Sequence, residues 1–312
     1  MKIFYDFDNV GDIRNAVVTT GSFDGVHIGH KVILQRLKKL AAEINGETVL
    51  ITFHPHPRKV LYPETAGKGL FLINSQREKI NLLQKAGLDN LIIVTFTVEF
   101  SQITSVDFVK NILLNKLHAR KIVIGFNHHF GHNREGDYQA LRELGVANGF
   151  EVEEIPEQDI HNESVSSTKI RKALQDGNIQ KANAYLDHQY VVMGQAQKAS
   201  PILEEIGFPC YSIGIEEDCK LVPPNGVYAV RVIVDGVAHN GVANLGMHPT
   251  FTDVKPESAI LETHLLDFEG DLYGKTIEVC FLARLREECV FDSAEALVVQ
   301  IAEDVRHAQR YF

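Results

Sequence analysis

Residues Gly21 to His30 read Gly-Ser-Phe-Asp-Gly-Val-His-Ile-Gly-His, between an apolar run at Ala16–Thr20 and a helix-periodic stretch opening near Gly29. These residue types at this spacing suit a phosphate. Glycines at 21, 25 and 29 permit positive φ and close backbone approach, and the helix that follows aims free N–H groups and the positive end of its dipole at an anion. His27 and His30, at the helix start, fall on one side and can donate hydrogen bonds to phosphate oxygens. The His-x-Gly-His string alone is a weak signal. The strand, turn and helix around it make it a strong one.

Further segments could face the same ligand. Phe53-His54-Pro55-His56-Pro57-Arg58 follows a strand and offers two imidazoles and a guanidinium beside rigid prolines, or is simply a solvated Pro-rich loop. Gly125-Phe126-Asn127-His128-His129-Phe130-Gly131 leads into Arg134 and Asp137. Its aromatics beside polar groups suit a flat heterocycle, and an aromatic loop without a ligand fits equally. Ser166, Ser167 and Thr168, with Lys169 and Arg171, open a helix that is either an ordinary capped helix or a second anion-binding helix start.

The elements that must position these residues follow from the hydrophobic pattern. Strand-like runs at Ala16–Thr20, Thr48–Phe53, Leu91–Phe96, Lys121–Phe126 and Phe150–Ile155 alternate with helical patterns. Ile33, Leu37, Leu40 and Ile44 mark one helix face, and Ser75 with Glu78 forms a capping box for a helix ending near Gly87. This rhythm predicts an α/β domain whose parallel sheet is covered by helices on both faces, with ligands at the carboxyl ends of the strands. After helices at Ser166–Leu174 and Ile179–Leu186 the chain becomes strand-rich. Val227–Val234 and Val237–Leu245 meet at Asp235-Gly236, followed by Ile260–Phe268 and Thr276–Leu285. A final amphipathic helix carries Leu297, Val298, Ile301 and Val305 on one face, with Asp292 or Ser293 as its cap. The expected domains are therefore 1–186 and 187–312, the second a small antiparallel barrel with one helix.

Composition narrows the function classes. The 312 residues are 45% hydrophobic and 23% charged, as in ordinary globular proteins, and the net charge of −10 argues against a general nucleic-acid surface. There is no apolar run of membrane-spanning length and no signal-peptide pattern at Met1–Asp8, so the expected location is cytoplasmic. Cys210, Cys219, Cys280 and Cys289 include no Cys-x-x-Cys pair, which favours neither zinc nor a disulfide framework.

Taken together, the chain resembles the bacterial bifunctional riboflavin kinase/FAD synthetase family along nearly its whole length. The first domain matches it at Gly21–His30, Thr52–Arg58, Gly125–Asp137 and Ser166–Leu174. The second matches it at Gly207–Pro209, Gly226–Tyr228, Gly241–Gly246, Pro249–Phe251 and Leu261–Phe268. The resemblance implies a Rossmann-like nucleotidyltransferase domain of the HIGH type that makes FAD from FMN and Mg²⁺-ATP, followed by a flavokinase-like barrel that makes FMN from riboflavin. It implies catalytic roles for His27, His30, Arg171 and Glu262, the last as general base for the riboflavin hydroxyl. ATP falls to Gly21, Ser22, Phe23, Asp24, Gly29, Ser166, Ser167 and Thr168. Flavin falls to His54, Pro55, Arg58, Asn127 and Phe130. The metal ligands are unassigned, the partners are small molecules, and the oligomeric state is open. The family commonly has Asp and Arg where this chain has Asn127 and His129.

The kinase loop departs from the family pattern. Its glycines become Ala199 and Leu203, its arginine becomes Glu204, and its threonine and asparagine become Cys210 and Ser212. A loop bearing Cβ atoms and acidic charge approaches polyphosphate less closely, and a thiol is a poor partner for hard Mg²⁺. The expectation is an FMN adenylyltransferase whose kinase half is weak or inactive. The alternatives are a fully bifunctional enzyme, a non-catalytic flavin-binding regulator or scaffold, and another nucleotidyltransferase, which the flavokinase-like second domain argues against.

Overall fold

The structure, a computed structural model, describes residues 1–126, 128–157, 159–160, 163–199, 201–215, 217–246 and 260–312. It divides into two compact units, Met1–Leu70 with Lys79–Ser166, and Phe71–Glu78 with Ser167–Phe312.

In the first unit β1 (Lys2–Phe4), β2 (Val17–Thr20), β3 (Thr48–His54), β4 (Asn90–Thr95), β5 (Lys121–Gly125) and β6 (Glu151–Ile155) form one sheet in the order β1-β4-β3-β2-β5-β6. Every neighbouring pair is parallel. The connections carry α1 (Ile28–Glu43), α2 (Pro57–Leu61), α3 (Gln76–Lys85), α4 (Ser105–Asp107) running into a π-helical stretch at Phe108–Leu114, and α5 (Tyr138–Asn148).

Because side chains alternate along a strand, each strand feeds two cores. Val17, Leu50, Leu91 and Val123 pack with Leu37 of α1 and Leu83 of α3. Val18, Ile51, Ile92 and Ile122 pack on the opposite face with Val109 and Leu141. Both faces are thus covered, as the rhythm predicts. The edge strand β1 is an addition, three residues long and opened by a charge. A two-residue hairpin, β7 (Asp159–Ile160) with β8 (Glu163–Ser164), follows β6.

The second unit contains α6 (Ser167–Gln175), α7 (Ile179–Leu186), β9 (Tyr190–Lys198), α8 (Pro201–Glu205), β10 (Cys210–Ile213), β11 (Gly226–Val234), β12 (Val237–Gly246), β13 (Ile260–Leu265), β14 (Thr276–Arg286) and α9 (Ala294–Ala308). Its strands close into an antiparallel barrel in the order β10-β13-β12-β11-β14-β9. Closure leaves no edge strand to template association. Asp235 (φ 50°) and Gly236 (φ 83°) are both left-handed, as a two-residue turn between twisted strands requires. Strand β13 stops at Leu265 rather than Phe268, and Asp267 just beyond it is also left-handed, at φ 52°. Ser293 caps α9, and Val305 and Ala308 pack on Val227, Ala229 and Val242. All four cysteines are free thiols.

One segment of this unit comes from far upstream. Leu72 donates its N–H to Cys219 O and accepts one from Leu221, both at 2.7 Å. The capping box is made: Ser75 N donates to Glu78 Oε2 at 2.8 Å, and Glu78 N donates to Ser75 Oγ at 3.2 Å.

Candidate active site

The chain leaves β2 at Thr20, and Gly21 donates its N–H to Ile51 O at 3.0 Å, tying the turn to the next strand. Of the three glycines only Gly25 (φ 92°) is left-handed. The other left-handed positions belong to Phe23 (φ 47°) and Val26 (φ 42°), so the turn bends at residues for which that geometry is costly. What Gly21 and Gly29 supply is space. A Cβ on Gly21 would lie 3.2 Å from the Phe23 ring, and one on Gly29 3.2 Å from the His27 ring.

Helix α1 then starts at Ile28, with His27 as an extended N-cap residue and no side-chain cap. The His27 side chain thus leaves the first-turn N–H groups uncapped by their own N-cap residue. Phe23, His30 and His27 form a stack of three rings, with centroids 4.4 Å apart from Phe23 to His30 and 3.7 Å from His30 to His27. Burial, then the neighbouring His27 and Lys79, hold the His30 imidazole well below its ordinary pKa. At neutral pH it is an uncharged ring offering one N–H. Its Nδ1 is buried without a hydrogen-bond partner among the described residues.

This turn forms one wall of a cavity of about 860 Å³, lined by Gly21, Ser22, Phe23, His27, Gly29 and His30. That size falls within the usual range for small-molecule and cofactor sites. Arg58, with His56 and Pro57, lines it from the start of α2, and Ser166 also reaches it. A further wall is aromatic, built from Phe53, Phe96, Phe100, Phe108 and Phe130. These rings contact one another in tilted and edge-on pairs at 5.5 to 6.4 Å. Such a wall can receive a flat heterocycle. His128 in the loop beside it is depressed to a pKa of about 4, by burial first and then by His129 and Arg134.

Other expected residues lie elsewhere. Asp24 is buried but does not line the cavity, and His56 and Pro57 line it where His54 and Pro55 do not. Asn127 and Pro249–Phe251 lie outside the described residues. Ser167, Thr168 and Arg171 belong to α6 of the second unit, where Arg171 Nε donates to Phe71 O at 2.9 Å. The sequence reading did not single out Phe96, Phe100 or Phe108, because a phenylalanine in a core and one on a cavity wall leave the same mark.

In the barrel, Glu262 on β13 is buried and paired in register with Ser212 on β10 and Asn244 on β12. Burial, and then the Glu288 carboxylate, raise its pKa. Cys210 heads β10, and burial together with Glu262 pushes its thiol up to about 12. Between β9 and β10 stands α8, with Leu203 buried.

Comparison with known proteins covers both units. The family model for FAD synthetase matches residues 10–169, and that for riboflavin kinase matches residues 186–312. Relatives named bifunctional riboflavin kinase/FMN adenylyltransferase include those of Bacillus subtilis strain 168 (34% identical, 95% of this chain and 92% of the relative) and Escherichia coli K12 (32%, 100% and 98%). A solved structure titled a macrolide-efflux protein from Streptococcus pneumoniae superposes with a TM-score of 0.86 at 27% identity, over 99% of each chain. Among the described residues of this chain no helix is long and apolar enough to cross a membrane. The relatives carry the names of both activities, which favours the two-activity alternative over an idle kinase half. The chain belongs to the bifunctional riboflavin kinase/FMN adenylyltransferase family.

Proposed function

We propose that this chain transfers AMP from ATP to FMN in the cavity of its first unit, releasing pyrophosphate, and phosphorylates riboflavin in its barrel, both in the cytoplasm. The observation that carries the first step is the uncapped start of α1, with His27 and His30 stacked at the wall of an aromatic-lined cavity of about 860 Å³. The FMN phosphate is already an anion, so its attack on the α-phosphorus needs alignment and charge stabilisation more than a base. Backbone N–H groups of α1 and the neutral His30 donate to phosphate oxygens, and the phenylalanine wall receives the flavin. In the barrel Glu262 takes the proton of the riboflavin hydroxyl as its oxygen attacks the γ-phosphorus and ADP leaves. Among the described residues no group of three or more His, Cys, Asp or Glu could hold a metal ion, so Mg²⁺ enters this reading as part of the ATP substrate.

A second reading, adenylyl transfer with an impaired kinase, is favoured by α8 standing where the phosphate loop belongs and by the neutral Cys210 thiol. One experiment separates the readings. Purified full chain receives ATP with either FMN or riboflavin, and flavins and pyrophosphate are quantified by chromatography. FAD and pyrophosphate from FMN, lost in His30→Ala, support the first step. Comparable FMN formation from riboflavin supports the second. Tight flavin binding without pyrophosphate release overturns both in favour of a non-catalytic binder.

A further inference from the structure

Lysine is among the residues least often buried, and a buried ammonium needs partners for its charge and its donors. Lys79 on α3 is 7% exposed, within the first unit. Its Nζ lies 3.3 Å from Ser22 O and 3.5 Å from Thr52 Oγ1, and Thr52 Oγ1 itself donates to Ser22 O at 3.2 Å. Two donors thus converge on one carbonyl of the turn between β2 and α1. Thr52 is fully buried on β3, next to Ile51, whose carbonyl receives the Gly21 N–H at 3.0 Å.

The turn requires such anchoring. Immediately after Ser22, Phe23 takes a left-handed conformation, and Val26 does so again three residues on. Non-glycine residues hold such conformations only where the surroundings over-determine them. Phe23 in turn stacks on His30, and His30 on His27. Displacing Ser22 would therefore move the whole ring stack. Lys79 does not itself line the cavity.

We propose that Lys79 is a positioning residue for adenylyl transfer, holding the Ser22 carbonyl from behind so that the strained turn keeps Phe23, His30 and His27 stacked toward the phosphates of ATP. This role rests on the reading of the cavity as the adenylyl-transfer site. The buried ammonium also adds fixed positive charge beneath that site, and His30 feels it.

The test uses the full chain with Lys79→Met, which keeps the stem and removes charge and donors, and Lys79→Arg, which restores both. Two measurements are made, kcat and KM for ATP in FAD formation, and the His30 titration by NMR. In Lys79→Met the expected result is a kcat lower by about 10- to 100-fold with little change in KM. The His30 titration moves upward toward the value of an ordinary imidazole, and Lys79→Arg restores both properties. A folded Lys79→Met with unchanged kcat and an unmoved His30 titration overturns the proposal. Should Lys79→Met fail to fold, Thr52→Val, which removes the second donor to Ser22 O, must still lower kcat, and wild-type kcat there overturns it. His30→Ala separates this failure from that of the functional reading. If His30→Ala makes FAD normally the site reading falls, while NOE contacts between the Phe23 and His30 rings, kept or lost in Lys79→Met, still decide whether Lys79 holds the turn.

Discussion

Lys220 and Glu78, 142 residues apart in sequence, form an ion pair of 2.6 Å in which both side chains are 1% exposed. The Lys220 ammonium also donates to Ile73 O at 2.6 Å and Val191 O at 2.8 Å, and lies 4.3 Å from the centre of the Tyr190 ring. Glu78 uses its second oxygen to accept the Met193 N–H at 2.9 Å. Every partner belongs to the second unit, so the pair fastens Phe71–Glu78 to the barrel strand β9. Removing one member of a buried pair leaves the other charge uncompensated, at about 3–5 kcal/mol. Lys220→Met should destabilise the barrel transition in urea by that order. The double variant Lys220→Met/Glu78→Gln should lose less than the two singles summed, since it leaves neither buried charge without its partner. Strict additivity would reject the coupling.

The first unit should weaken in mild acid. His128 titrates near 4 in the folded chain and near the ordinary 6.5 when unfolded, so between these values the unfolded chain binds more protons. Stability is complete above pH 6.5 and falls as pH drops toward 4, and the downward shift of His30 adds in the same direction. Urea midpoints measured from pH 7.5 to 4.5 should decline across this window. His128→Phe, which cannot be protonated, should flatten the decline, and an unchanged slope would rule His128 out as its source.

Strands β2 to β5 were legible because they are largely apolar runs buried on both faces, whereas the edge strand β6 shows only Val152 and Ile155 among glutamates and β1, at Lys2–Phe4, is too short to show a pattern. The turn was legible as a strand-to-helix junction but not in its backbone geometry. Glycine at 21 and 29 suggested positive φ, yet the backbone bends at Phe23 and Val26 and the glycines make room for rings. Lys79 and Lys220 were invisible, since nothing local distinguishes a lysine that finds distant carbonyls from one in water. The same holds for Phe71–Glu78. The capping box at Ser75 and Glu78 could be read from spacing alone, but the carboxylate's second partner, on β9, is a product of tertiary packing.

Glu262 should govern the kinase step alone. Glu262→Gln is expected to lower FMN formation from riboflavin by about 100-fold or more, the usual contribution of a general base, while FAD formation from FMN stays unchanged. A base must be deprotonated to act, so kinase activity should rise with pH through a pKa raised above the ordinary 4.5 by burial and by Glu288. Glu288→Gln removes the like charge and should shift this acid limb to lower pH. A limb that stays in place would show that Glu288 does not act on Glu262.

The impaired-kinase reading makes its own prediction at β10. Cys210, with its thiol near 12, stays neutral at any physiological pH and offers a soft, protonated sulfur beside Glu262. Cys210→Thr with Ser212→Asn restores hard oxygen donors on the strand paired with β13, without touching α8, whose Leu203 is buried and would leave a cavity if replaced. If the substitutions at 210 and 212 limit the kinase, this double variant should phosphorylate riboflavin about tenfold faster, equivalent to ~1.4 kcal/mol of barrier. FAD formation from FMN serves as the internal control and should not move. A parent chain that already phosphorylates riboflavin as fast as it adenylylates FMN, with no gain in the variant, would show that the barrel works with Cys210 in place.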